Sequence, residues 1–326
     1  MPISTAIPSI IPHSDALFRS VRTVAPYARH LTCRIKREDV DMEIGSFLMR
    51  RLPFRSLSDW KQRLHDGLIL QGDIVMRPGM RLQLDPPLVF FTPAQTEPSV
   101  PDEVAILEDT ADYLLAYKPA PMPVHPGGRY NRNALTSILK KQIKVLHRLD
   151  SVTSGLMLFG RSRLFSQRVR QAFSNGDVEK SYLAVVSGNP DEDRITIAKP
   201  IRRKEGYIFE CALNGKASIT GFEVLMRGRS AGGARAALVE CRPVTGRTHQ
   251  IRLHLREWGH PVIDDPLYGV PTTRIVGTDS FPMQNRGISL LHYALHIPRM
   301  GLSFDLADYS SIPELSATIT GLRQYR

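Results

Sequence analysis

The sequence has 326 residues, of which 42% are hydrophobic and 23% charged, and this balance excludes an intrinsically disordered chain. Its formal net charge of +11 predicts a surface that attracts polyanions. Apolar stretches are too short to span a bilayer, and prolines interrupt the first residues, where a signal peptide needs a continuous apolar run. We therefore expect a cytoplasmic protein without a membrane partner.

The first 91 residues predict a small N-terminal region of two helices and a hairpin. Apolar residues recur at helical spacing from Met42 to Leu52. Ser58 can cap a second helix over Asp59 to Asp66, and Gly67 ends it before two short strand-like runs. This order resembles an S4-type RNA-binding module, and a structural cap on the next domain is the alternative. Residues 92–103 are rich in helix breakers and predict a linker to a second domain at 104–326.

The second domain alternates short strand candidates with helical patterns. Their spacing is too irregular for repeating strand-helix-strand units, so we expect an α+β fold with a mixed, largely antiparallel sheet and flanking helices. The strand candidates are Ala105 to Leu107, Tyr113 to Ala116, Leu156 to Phe159, Tyr182 to Val186 and Ala237 to Cys241.

The run HRLDSVTSGL at residues 147–156 contains a candidate catalytic carboxylate, Asp150. It lies between an extended approach and an apolar strand, and Gly155 allows the backbone to bend between them. An Arg two residues before an Asp is by itself also the pattern of a solvated ion pair. The neighbouring motifs must therefore decide its role.

A second segment, GRTHQIRLHLREWGHPVIDDPLYG at 246–269, is dense in basic and imidazole groups. Thr248 can cap a helix that runs to about Trp258 and stops at Gly259. Alternation from Thr248 to Leu255 also fits a strand. In either structure Arg252 can face a cleft.

Metal binding is not expected, although His249, His254 and His260 precede two aspartates. The first two histidines are five residues apart, which is off the i, i+4 face that a helical zinc motif uses. Residues 265–269, DPLYG, are typical of a turn. Cys33, Cys211 and Cys241 lack the spacing of a zinc site and the even number of a disulfide framework, so we expect reduced thiols.

Four ordered motifs together resemble the RluA family of RNA pseudouridine synthases over roughly residues 104–300. They are HRLD-x-x-TSG, the Lys-Pro element at Lys118 and Pro119, the K-x-Y-x-A segment at Lys180, Tyr182 and Ala184, and GRTHQIR-x-H at 246–254. The wording HPGGRYNRN at 125–133 is most similar to the branch with eukaryotic-type tRNA and rRNA synthases.

The resemblance implies an isomerase that converts a uridine of structured tRNA or rRNA to pseudouridine, on a bent, largely antiparallel sheet with a central RNA cleft. It implies Asp150 as the catalytic carboxylate, Arg252 as its partner, and Tyr182 as the ring that stacks on the target base. Arg148 would fill the space that the extruded base leaves. The further residues expected to bind RNA or the base are His147, Thr153, Lys118, Arg247 and His249.

A carboxylate suits this chemistry because it can attack C1′ as a nucleophile or remove a proton at C2′ as a base, and both routes need it ionised. The isomerisation requires no nucleotide, redox or metal cofactor, and we expect none. We also expect a monomer. The alternatives are an RNA-binding protein without turnover and a hydrolase that cleaves a nucleoside or glycoside.

Overall fold

The computed structural model describes residues 21–53, 55–102, 104–230, 233–269 and 287–309. These residues fall into two compact units, one formed by Val24–Glu97 and the other by the remaining described residues. None of the helices in these ranges combines the length and the apolar content that crossing a membrane requires.

The described elements are numbered in chain order. The strands are β1 (Val21–Arg22), β2 (Tyr27–Cys33), β3 (Ile69–Gln71), β4 (Ile74–Val75), β5 (Leu88–Gln95), β6 (Val100–Pro101), β7 (Ala105–Asp109), β8 (Tyr113–Lys118), β9 (Lys144–Val145), β10 (Ser154–Gly160), β11 (Glu179–Ser187), β12 (Arg194–Ile197), β13 (Ile201–Glu205), β14 (Ile208–Cys211), β15 (Thr220–Arg229), β16 (Arg235–Pro243), β17 (Leu290–Ile297) and β18 (Leu302–Asp305). The α-helices are α1 (Ile44–Arg51), α2 (Leu57–His65), α3 (Leu135–Leu139), α4 (Arg163–Asn175) and α5 (Gln250–Glu257).

The N-terminal unit confirms the predicted order of two helices followed by a hairpin. Its four-stranded sheet has the order β2-β5-β3-β4, and apolar residues of α1 and α2 share one core with β3 and β5. The predicted cap of the second helix was wrong. Ser56, not Ser58, accepts the hydrogen bond from the Asp59 backbone, because the helix begins two residues earlier than its sequence pattern indicated. The assignment as an S4-like module or a cap stays a prediction.

Part of the segment predicted as a linker, 92–103, is strand. Residues 92–95 continue β5, and β6 pairs with β1 in the larger unit. The side chain of Asn133 also donates to the carbonyl of Pro98 at 2.9 Å. Backbone pairing and this side-chain bond thus order residues whose proline content indicated a loop.

The larger unit is built on a ten-stranded sheet with the main order β12-β15-β16-β11-β17-β10-β8-β7. Strand β10 pairs in parallel with β17 and antiparallel with β8, and the other pairs of this sheet are antiparallel. The predicted α+β class with a mixed, largely antiparallel sheet is therefore confirmed. All five predicted strands are present, each longer than its apolar segment indicated.

Both faces of the sheet are covered, as the fully buried strand β10 demonstrates. Leu156 and Leu158 enter the core that receives α4, whereas Met157 and Phe159 enter the core that receives α3 and α5. Successive residues of a strand point to opposite faces, so one apolar run supplies both cores. The candidate site lies on the face that carries α5.

The open choice between helix and strand at 248–258 resolves as the helix α5. Thr248 does not cap it, contrary to our prediction. His249 occupies the N-cap position with a left-handed φ of 57° and makes no side-chain cap hydrogen bond. The start is organised instead by the side chain of Gln250, whose Oε1 accepts from the Arg247 backbone at 2.9 Å.

Candidate active site

Asp150 lies in a short turn between β9 and β10 whose backbone is fixed on several sides. The backbone N–H of Thr153 donates to the carbonyl of Asp150 at 3.1 Å, and Met122 donates to the carbonyl of Ser151 at 2.8 Å. Its neighbours Leu149 and Val152 are buried in the core below. The turn leaves 25% of the Asp150 side chain exposed, so a ligand can reach a carboxylate that the fold holds in place.

Arg252 projects from α5 and joins two carboxylates. Its Nη1 donates to Oδ2 of Asp150 at 3.0 Å, while Nε and Nη2 donate to Oδ2 and Oδ1 of Asp265 at 2.7 and 2.8 Å. The side chain is only 3% exposed. Bidentate pairing with Asp265 fixes the plane of the guanidinium, and this plane aims the third donor at Asp150.

Asp265 is a site residue that sequence reasoning missed. Residues 265–269 form the predicted turn, in which Gly269 donates to the Asp265 carbonyl at 2.9 Å. Oδ1 of Asp265 also accepts the backbone N–H groups of Leu267 and Tyr268, and the Arg252 guanidinium lies 5.0 Å from the centre of the Tyr268 ring. The turn thus orients the residue that orients Arg252.

The charges around Asp150 keep it ionised. Burial alone would raise the pKa of Asp150, but the electrostatic effect of His249 together with the charge and hydrogen bond of Arg252 outweighs burial and holds the pKa below its usual value. For Arg252 burial acts in the opposite direction and lowers the pKa, but Asp265 and Asp150 raise it by more. An ionised, partly exposed carboxylate can act as a nucleophile or as a general base.

Tyr182 on β11 completes the group of residues predicted to be catalytic. It is buried, and its pKa is raised by burial and by the negative charge of Asp150, so the phenol stays protonated. Its ring stacks on the imidazole of His292, with centroids 4.5 Å apart. The structure therefore brings Asp150, Arg252 and Tyr182 together from a turn, a helix and a strand.

His249 lies beside the carboxylate. Its Nε2 is 3.9 Å from Oδ2 of Asp150, and its Nδ1 shares a 2.7 Å hydrogen bond with the Tyr268 hydroxyl. A non-glycine residue in the left-handed region carries local strain, which the surrounding contacts here offset. Arg148 and Arg247 are exposed, so their expected RNA contacts stay predictions, as does that of His249.

Lys118, which was expected to bind RNA or the base, is fully buried in the structure and makes its contacts within the fold. Its Nζ donates to the carbonyls of Pro119 and Met122 at 3.0 and 2.8 Å, and more weakly to that of Ser151 at 3.3 Å. Burial lowers its pKa to about 7, with the charge of Asp150 acting in the opposite direction. Three carbonyls match the three N–H groups of an ammonium, so Lys118 ties the segment after β8 to the residue that follows Asp150.

Two other residues predicted to bind RNA belong to the fold. Thr153 is 3% exposed, so its expected contact with RNA or the base stays a prediction that the structure does not favour. The Nε2 of His147 accepts the backbone N–H of Leu158 at 3.0 Å, and its ring stacks on Phe173. These contacts give His147 a role in the packing below the site, and its expected contact with RNA or the base stays a prediction. Sequence proximity to Asp150 did not indicate burial.

Buried imidazoles should make the protein less stable in mild acid. Burial lowers the pKa of His292 to about 4, and burial with the nearby His292 and Lys180 lowers that of His147 well below 6.5. Between pH 7 and pH 5 the unfolded chain therefore binds protons that the folded chain does not, so the free energy of unfolding falls, by about 2 kcal/mol for an imidazole such as His292 that stays neutral in the folded chain. Urea denaturation at both pH values measures this loss.

His147→Gln provides the test, because the side-chain oxygen of the glutamine can still accept from the Leu158 backbone N–H. Between pH 7 and pH 5 we expect the free energy of unfolding of this variant to fall less than that of the wild type, by a difference of up to about 2 kcal/mol. The exposed His65, changed to Gln, is the matched control and should behave as wild type. An identical pH dependence for His147→Gln and wild type would contradict the prediction.

Among the residues that the structure describes, no three His, Cys, Asp or Glu side chains are grouped so that they could hold a metal ion. The expected absence of a metal and of other cofactors stays a prediction.

Residues 112–257 match a protein family described as RNA pseudouridylate synthase, and this range contains Asp150, Tyr182 and Arg252. An uncharacterized RNA pseudouridine synthase of Zymomonas mobilis is 34% identical over 170 residues, which cover 49% of this chain and 75% of that relative. The chain belongs to the RluA-like family of RNA pseudouridine synthases. The resemblance seen in the four sequence motifs is thereby confirmed.

Two further comparisons agree with this family. The mitochondrial tRNA pseudouridine(32) synthase of Saccharomyces cerevisiae is 31% identical over 172 residues, covering 51% of this chain and 37% of that protein. The solved structure of human RNA Pseudouridylate Synthase Domain Containing 1 superimposes with a TM-score of 0.53 at 26% identity, covering 64% of this chain and 84% of the human one. The chain spans 32% to 53% of the length of other curated relatives that it matches.

Proposed function

We propose that this chain is an RNA pseudouridine synthase that isomerises a specific uridine in structured tRNA or rRNA, with Asp150 as the catalytic carboxylate. In this reaction the N1–C1′ bond breaks, the uracil turns, and C5 bonds to C1′. The proton that leaves C5 is balanced by the one gained at N1, so the atoms of the nucleotide are conserved. No electron acceptor or group donor is consumed.

One observation carries the proposal: an ionised carboxylate is held by a buried guanidinium, and its charge acts on the buried Tyr182, within the part of the chain that matches the family. Asp150 supplies the charge that either route needs, attack at C1′ or proton removal at C2′. Arg252 orients that carboxylate. Tyr182 offers a flat surface on which the detached uracil can turn in its plane.

A hydrolase is less well supported, because cleavage by paired carboxylates needs a second one that can deliver a proton. Asp265 is the nearby candidate, but its oxygens accept from Arg252 and from two backbone N–H groups. A carboxylate surrounded by donors serves as an anchor. It is also buried behind the guanidinium, with a side chain that is 0% exposed.

Within the structured RNAs, we infer tRNA as the first substrate to test. The support is the similarity to the yeast relative, whose name states that it acts on tRNA, together with the branch resemblance of the HPGGRYNRN segment. The net charge of +11 suits a polyanionic partner. A monomer in the cytoplasm completes the proposal, and its location rests on the sequence arguments given above.

Pseudouridine mapping tests the proposal. Total tRNA and rRNA would be compared from cells with the gene, without it, and without it but complemented by wild type or by Asp150→Asn. We expect at least one pseudouridine to disappear without the gene and to return only with wild type. Return with both genes would contradict the role of Asp150.

Two other outcomes would support one of the alternative functions instead of the proposed one. Free uracil or shortened RNA from purified protein and unmodified tRNA would indicate a hydrolase. Tight RNA binding with no change at any uridine of tRNA or rRNA would indicate an RNA-binding protein without turnover.

Arg148→Ala should impair capture of structured RNA more than the chemical step. Arg148 is exposed and lies two residues before Asp150 in the sequence, so its guanidinium can occupy the space of an extruded base, and extrusion from a stacked helix costs a few kcal/mol. We expect kcat/KM on folded tRNA to fall by roughly tenfold or more, with a smaller loss on a short single-stranded RNA that carries the same uridine. Arg168→Ala, an exposed arginine on α4, is the charge-matched control. Equal losses on both RNAs would contradict the assigned role.

A further inference from the structure

His292 lies directly beside the ring of Tyr182, although none of the four sequence motifs contains it. On β17 it is the register partner of Tyr182 on β11 and of Gly155 on β10. It is fully buried, and the two rings stack with centroids 4.5 Å apart and planes 22° apart. The imidazole therefore supports the tyrosine ring from the adjacent strand.

The imidazole is itself held firmly. Its Nδ1 donates to the carbonyl of Leu156 at 2.8 Å, which fixes the tautomer, and the ring of His147 contacts it edge-on at 5.7 Å. The imidazole that Tyr182 stacks on is thus held by Leu156 on β10 and by His147 before β10, in addition to its own strand β17.

Gly155 makes this arrangement possible. Its φ of 128° is open to glycine, and a Cβ at this position would overlap the backbone oxygen of His292. Gly155 is also the register partner of Lys118, which binds the carbonyl of the residue after Asp150. One row of paired residues therefore links the Asp150 turn, through Gly155 and His292, to Tyr182.

We propose that His292 is a positioning residue, which holds the ring of Tyr182 in the orientation that the turning uracil requires. This inference rests on the proposed function. Ring support is the property that matters, because the flat face of the imidazole contacts the flat face of the phenol. A small displacement of a group that holds a reacting base lowers the rate of the chemical step far more than the binding of the RNA.

Two variants separate ring support from hydrogen bonding. His292→Phe keeps a flat ring without a donor for the Leu156 carbonyl, whereas His292→Gln keeps a donor without a ring. With unmodified total tRNA from cells that lack the gene as the probe, we expect a single-turnover rate within about threefold of wild type for Phe and roughly 10- to 100-fold lower for Gln. The dissociation constant for this tRNA should change by less than about twofold in both.

A double-mutant cycle with Tyr182→Leu makes the test specific. Without the tyrosine ring, His292→Gln should cost no further rate, because the two residues act as one unit. His296→Gln, at another histidine of β17 whose ring bonds to Ser303, is the matched control and should leave the rate unchanged. Additive losses would mean that His292 acts through general stability, and they would overturn the proposal.

Folding and function are distinguished by the remaining outcomes. Thermal unfolding identifies variants that do not fold. If His292→Gln does not fold, the rate of His292→Phe tests the inference instead. A folded His292→Phe variant that is slowed tenfold or more overturns the role of ring support. An active wild type with an unaffected His292→Gln overturns this inference alone. A wild type that forms no pseudouridine overturns the proposed function and this inference with it.

Discussion

Replacing Asp150 with asparagine should reduce pseudouridine formation by about 10⁴-fold while RNA binding stays within about threefold of wild type. The amide keeps the size of the side chain, and its oxygen can still accept from Nη1 of Arg252, which lies 3.0 Å from Oδ2. What disappears is the negative charge, which both routes of bond cleavage need. Single-turnover assays and tRNA binding measure the two effects separately.

The fold should tolerate this change, because Arg252 retains its bidentate pairing with Asp265. Thermal unfolding of Asp150→Asn is therefore expected to match wild type closely. Asp191→Asn, an exposed aspartate in the same unit, is the control for the loss of one carboxylate. A rate above about 1% of wild type in the Asp150 variant would remove Asp150 from the mechanism.

The sequence predicted the three residues that we propose to be catalytic because each of them lies in a local motif that carries the family resemblance. Asp150 is the last residue of the HRLD run, Tyr182 lies in the K-x-Y-x-A segment, and Arg252 lies within a segment that has an amphipathic helical pattern. Alternation and apolar runs also predicted the central strands, since burial on a sheet leaves a period of two in the sequence. These signals come from residues close together in the sequence, so they can be recognised without knowledge of the fold.

Residues that support the site were not predictable in this way. Asp264 and Asp265 are adjacent and chemically identical, yet one has a left-handed φ of 64° and the other is buried against Arg252. His292 lies in an apolar strand and meets Tyr182 only through pairing across more than a hundred residues. Their roles depend on contacts between distant segments, which no local pattern records.

The burial of Lys118 could not be predicted from the sequence either. Lys118 stands in the Lys-Pro element of the sequence, and the resemblance implied that it binds RNA or the base. In the structure, three carbonyls around Nζ replace the water that an exposed ammonium would bind. Desolvation of a charged group is tolerated when its hydrogen bonds are satisfied, and that condition is visible only in three dimensions.

Replacing Arg252 with glutamine should cause the largest combined loss of activity and stability. Its guanidinium bonds to Asp150 and Asp265, whose side chains are 25% and 0% exposed. Without it, Asp265 is a buried carboxylate that lacks its cation, and removing one member of a buried ion pair typically costs about 3–5 kcal/mol of unfolding free energy. Activity should fall by at least about 100-fold, because Asp150 loses both its orientation and the charge that lowers its pKa.

The double variant Arg252→Gln with Asp265→Asn separates these two losses. It removes the uncompensated charge of Asp265, so most of the stability measured by urea denaturation should return, whereas the rate should stay at the level of the single variant.

Loss of Arg252 also raises the pKa of Asp150, so the acidic limb of the remaining activity should move to higher pH. Arg252→Lys should not rescue the rate, because one ammonium cannot pair bidentately with Asp265 and also reach Asp150. Recovery of activity together with stability in the double variant would mean that Arg252 only maintains the fold.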